Sequence, residues 1–148
     1  MRGHHQRYID EVNAMMPPWY ERKRVGHGKI VTTIDLTFHT VIGDFGVQKG
    51  TPSDVFSCVP DTGYFRMHKA AILHDEARKK LPRMVADYLF YSEMHAAIRD
   101  IRAALYKTTC PAEVIDREIV RLSRVASAYM LGVSGWIGSA YIWLDRIF

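Results

Sequence analysis

Three side chains near the middle of the chain have the types and spacing for shared chemistry. His74 and Asp75 are adjacent within H-K-A-A-I-L-H-D-E-A-R-K-K, residues 68–80, and Asp87 follows just after Leu81-Pro82. An imidazole that donates one ring proton to a carboxylate keeps a fixed tautomer and leaves its other nitrogen free as a base. Asp75 points about 100° away around the helix and could hold a divalent cation such as calcium. The same residues could equally make a satisfied polar pair that locks two helices together. Ser57 and Cys58 lie in a loop with no motif that would expose and activate a nucleophile, so they are weaker candidates than the histidine and its carboxylates.

The elements that would position these groups follow from periodicity. Residues 66–81 and 83–107 read as two helices separated by Pro82, which cannot continue the first. His74 lies seven residues before Leu81, and Asp87 lies five after Pro82. At ~1.5 Å of rise per residue both sit roughly 8–10 Å from the turn on antiparallel helices, so they are expected to face one another. Thr109-Cys110-Pro111 breaks the chain, and a third helix starts at Ala112. Upstream, I-V-T-T-I-D-L-T-F-H-T-V-I has Ile34, Leu36 and Phe38 alternating with Asp35, Thr37 and His39, the period of one half-buried strand. Gly43-Asp44-Phe45-Gly46 supplies a turn, with a return strand from Phe45. The expected class is α+β, a small N-terminal antiparallel β element followed by a body of three main helices.

Residues 1–29 read as an N-terminal arm and residues 30–148 as one domain. The arm carries a short helix from Tyr8 that Pro17-Pro18 stops, then Trp19-Tyr20. A proline pair holds the chain extended. Trp and Tyr are typical interface anchors, so Trp19 and Tyr20 are expected to bury themselves against a partner, another copy of the chain included, or failing that against the body near the C-terminal helix.

Composition narrows the class. The chain has 148 residues, 48% hydrophobic and 24% charged, enough for one globular core. A net charge of +4 is mild, and no aromatic-basic pattern of a nucleic-acid module appears, so no specific nucleic acid is expected. Two cysteines make no disulfide framework, which suits a reducing compartment. The first residues are charged throughout and do not read as a secretory signal. Residues 125–144 carry no charge and are long enough to cross a bilayer, but three glycines and three serines dilute them. Packing against protein accounts for them more simply than a membrane span.

Three blocks in order resemble a bacteriophage and prophage family, the domain-of-unknown-function family 1353. Gly50 to Pro60 is similar to its Gly-x-x-Thr-Asp-x-x-Ser-x-Pro signature, with Gly50, Asp54 and Ser57 in place and Ser53 standing for the threonine. A-A-I-L-H-D, residues 70–75, resembles its Ala-x-x-x-His-Asp helix. A-D-Y-L-F-Y-S-E-M, residues 86–94, resembles its Ala-Asp-x-x-Phe-x-x-Ala-Met segment, with Glu93 for the second alanine. The C-terminal run is similar to the family's closing helix, which leaves about 95–128 as a helical insertion. The resemblance implies a phage setting, in the virion or the bacterial host cytoplasm, and no defined reaction.

His74-Asp75 with Asp87 also resembles the phospholipase A2 arrangement, in which the histidine activates water, the next aspartate binds calcium and the second aspartate orients the histidine. Arg78 stands where that family has tyrosine, and its glycine-rich calcium loop is absent. Two functions stay open. One is a virion or tail accessory component that works through contacts with other virion proteins or with itself. The other is a hydrolase of lipid or envelope material, with His74 and Asp87 catalytic and Asp75 or Asp54 on the cation.

Overall fold

The computed structural model describes residues 2–16, 19–22, 29–54 and 62–134. In chain order the elements are α1 (Arg2–Met15), β1 (Tyr20–Arg22), β2 (Lys29–Thr32), β3 (Leu36–Thr40), β4 (Gly43–Val47), β5 (Pro52–Asp54), α2 (Phe65–Lys80), α3 (Arg83–Leu105) and α4 (Ala112–Ser134). The fold is α+β. β1, β2 and β5 make one antiparallel sheet in the order β1-β2-β5, and β3 with β4 makes a separate hairpin. Pro52 has no N–H to give a ladder, which suits its place on an edge strand.

The α2–α3 hairpin is the centre of the molecule, and it divides the core in two. On one side Trp19, Ile30, Leu36, Phe38 and Val47 pack on Ile72, Leu73 and Leu89. On the other, Ile9 and Val12 of α1 and Ile115, Leu122 and Met130 of α4 pack on Met67, Phe90, Met94 and Ile101. α2 ends at Lys80 because the residue before Pro82 is driven out of the helical region, and Leu81 is extended there.

Two expectations change. The strand read through Ile34, Leu36 and Phe38 is interrupted: β2 stops at Thr32, β3 starts at Leu36, and Ile34 is 44% exposed. The break has local causes. The Thr33 N–H still continues the β1–β2 ladder by donating to the Trp19 carbonyl, and beyond it the Asp35 carboxylate accepts from the Lys49 N–H, a side-chain bond that takes the place of strand pairing.

The arm over 1–29 is also corrected. Ile9 and Val12 are core residues and β1 is a strand of the body's sheet, so α1 and β1 are built into the domain. Asn13 goes further. Its side chain donates to the Gly63 carbonyl at 2.9 Å and accepts from the Phe65 N–H at 3.1 Å. The α2 N-terminus has no cap from its own N-cap residue, so α1 supplies one from 52 residues away. Gly63 has φ of +86° there, and a Cβ would approach Ile9 to 3.2 Å. The span 95–128 is the end of α3, a connection and most of α4, and its buried residues share the core with α1 and α2. Of residues 125–144, only those up to 134 lie within the described part.

Candidate functional site

His74 sits mid-α2 on the side that meets α3, and Asp87 sits in the second turn of α3. Their similar distance from Leu81-Pro82 brings them together: His74 Nε2 lies 2.7 Å from Asp87 Oδ1. An ionised carboxylate only accepts, so Nε2 carries the proton and donates it. Phe90, one turn beyond Asp87, lays its ring against the imidazole with centroids 4.8 Å apart. His74 is 4% exposed and Asp87 fully buried. Asp87 Oδ2 has no hydrogen-bond partner, and the Arg83 guanidinium approaches it to 3.7 Å. The pair has the form of a base with its orienting carboxylate. A base must also reach a substrate proton, and this one is walled in between two helices.

Asp75 turns away from the pair, as the helix geometry requires. Ser53 Oγ of β5 donates to Asp75 Oδ2 at 2.6 Å, which ties the edge of the sheet to α2. Asp54 pairs with Lys29 in the sheet register, and its side chain lies outside the described part of the molecule. Ser57 and Cys58 lie outside the described residues altogether. Among the described residues, no three His, Cys, Asp or Glu side chains converge as a metal site would require.

Trp19 and Tyr20 are placed in the body's own interior. Trp19 is 2% exposed, its indole N–H donates to the Phe65 carbonyl at 3.1 Å, and its ring meets Tyr20 edge-on. Tyr20 is half-buried, with its hydroxyl 2.8 Å from His68 Nδ1. Trp19 thus packs on the body of its own chain, the second placement expected for it, but against α2 and the strands rather than near the C-terminal helix. Trp19 stands directly before β1, and its ring is set against the start of α2.

A second buried polar cluster escaped the sequence reading. The Tyr64 hydroxyl donates to Glu118 Oε1 at 3.2 Å, and the Arg121 guanidinium closes on the same carboxylate, with Nε 3.0 and 3.1 Å from its two oxygens. Burial, then the Glu118 charge, pushes the Tyr64 phenol well above the usual tyrosine range. The hydrogen bond to Glu118 raises Arg121. Cys110, buried at the entry to α4, is raised by desolvation and then by Glu118. One signal was available. Glu118 interrupts the stripe Ile115, Leu122, Ala126, Tyr129, and a carboxylate on an apolar helical face needs a partner.

Comparison of the chain with family models, with curated proteins and with solved structures finds no match. No helix among the described residues is long and apolar enough to cross a membrane.

Proposed function

We propose that this chain is a non-catalytic bacteriophage-type protein, a virion or tail accessory component that works through contacts with other phage proteins. The phage setting rests on the resemblance of the blocks at 50–60, 70–75 and 86–94. The non-catalytic part rests on one observation: the His74–Asp87 pair is shut between α2 and α3, with Phe90 against the imidazole. A carboxylate-imidazole pair in that position joins helices and reaches no substrate. Asp75 fits the same reading, because its bond to Ser53 gives it a structural duty.

The test has two arms. In the first, a tagged copy is carried in its own phage or prophage, particles are banded by density, and the bands are probed for the tag. Co-banding is expected, and a protein found only in the unbanded lysate overturns the phage assignment. In the second arm, purified protein with calcium is offered fluorogenic phospholipid. No turnover is expected. Turnover that His74→Ala abolishes, in a variant that keeps its circular dichroism, would establish the hydrolase instead.

A further inference from the structure

One face of α3 is built of rings and guanidinium groups. Tyr88, Tyr91, His95, Arg99, Arg102 and the C-cap Tyr106 recur at intervals of three and four. At about 100° per residue they fall within an arc of roughly 80°, and at ~1.5 Å of rise they run for ~27 Å. Tyr88 is 40% exposed and Tyr106 54%, Arg99 and Arg102 are exposed, and Tyr91 and His95 are half-buried.

Two contacts order this stripe. The Tyr91 and His95 rings meet edge to face with centroids 4.5 Å apart, and the Arg102 guanidinium lies over the Tyr106 ring, 5.9 Å from its centroid. A ring beside a held guanidinium suits a nucleotide, with the base on the ring and the phosphate at the cation.

Carboxylates are kept off this face. α3 has three of them: Asp87 is buried against His74, and Glu93 and Asp100 pair with Arg66 roughly 150° around the helix from the stripe. On α1, which packs on α3, Asp10 is bonded to Gln6 and Glu11 to Arg7. α4 balances Glu113, Asp116 and Glu118 with Arg117, Arg121 and Arg124. Arg99 and Arg102 enter no ion pair among the described residues, so the stripe keeps a positive sign.

This combination selects among partners. A bilayer needs a continuous apolar face, and here rings alternate with charge. An acidic peptide satisfies the arginines and leaves the rings unused, and a duplex hides its bases. An unpaired strand offers phosphates and base faces together. The pattern matches no sequence motif of a nucleic-acid module and arises from the register of the helix alone.

We propose that this face of α3 binds single-stranded nucleic acid without sequence preference. Bases stack on Tyr88 and Tyr106, and Arg99 and Arg102 hold the phosphates. The inference does not depend on the phage reading: a chain absent from particles can bind such a strand, and one that co-bands with them can fail to.

The probe is a fluorescein-labelled oligothymidine of twelve nucleotides, added to the full-length protein. Its anisotropy is expected to rise at low salt, and the affinity to fall steeply as salt is added. The double variant Arg99→Gln/Arg102→Gln should weaken binding about tenfold or more, and Tyr106→Ala about fivefold or more. These side chains are exposed, so circular dichroism should not change. Lys49→Gln/Lys79→Gln removes the same charge away from α3 and should bind as the parent does. Absence of binding at low salt overturns the proposal, and so does an equal loss in the Lys49/Lys79 variant, which would mean attraction to net charge only. Equal competition by the duplex of the same length, or by polyglutamate, overturns it as well, because either would show that the rings take no part.

Discussion

His74 Nε2 and Asp87 Oδ1 are 2.7 Å apart across the α2–α3 hairpin, and neither side chain meets solvent. Removing the histidine leaves a buried carboxylate with no hydrogen-bond donor at either oxygen, since Oδ2 already lacks one. His74→Ala should therefore lower unfolding free energy by about 1–3 kcal/mol. Replacing both residues with leucine should cost less than the two single changes added together, because no charge is then stranded. Urea denaturation of the four proteins measures this, and strictly additive losses would mean the pair is not coupled.

Trp19 fills a core position of its own chain. Trp19→Ala should cost about 3–5 kcal/mol, the range for emptying a buried aromatic site. Trp19→Phe should cost less, keeping much of the packing while losing the bond to the Phe65 carbonyl. Deleting residues 1–24 removes α1, β1 and the Asn13 cap together, so the remainder should fail to give a cooperative thermal transition. A truncated protein that melts as sharply as the full chain would contradict this placement.

Tyr64 makes stability sensitive to alkali. Its folded pKa is raised, while an unfolded tyrosine titrates near about 10. The contribution of the buried phenol is thus complete below that value. As pH climbs above it, the unfolded chain ionises and the folded one resists, so stability falls. Tyr64→Phe should remove this part of the alkaline slope, read by denaturation at a series of pH values. It should also cost about 0.5–1.5 kcal/mol at neutral pH through the lost bond to Glu118.

Cys110 should be a slow thiol. Burial and Glu118 both hold it above the usual cysteine range, and the thiolate is the reactive form. In a Cys58→Ser background, modification by a disulfide reagent should be far slower in the folded protein than in urea. Equal rates would show that the entry to α4 is open.

What the sequence made legible was local. The Leu81-Pro82 break and helical rise were enough to bring His74 level with Asp87, because both lie within two turns or so of a defined corner. The β3–β4 return was readable, but the glycines placed its turn too late: Gly43 to Gly46 belong to β4, and Val41-Ile42 make the turn. The period of two ran on through Thr33 and Asp35 because it registers side-chain alternation and is blind to the bond that the Asp35 carboxylate accepts from Lys49. Residues joined over long separations left no periodic trace. Asn13 reaches Phe65 over 52 positions and Tyr64 reaches Glu118 over 54, and only the folded chain brings them together.

The Trp19–Phe65 contact also has a bearing on synthesis. Its two ends are 46 residues apart, so the indole leaves the ribosome well before its acceptor exists. At translation speeds of about 5–20 residues per second, that is a wait of roughly 2–9 s. During it, β1 has no helix to lie on and the apolar side of α1 has no α3. The nascent chain is exposed to aggregation over that interval, and a holding chaperone that grips Trp19 would have to release it as α2 emerges.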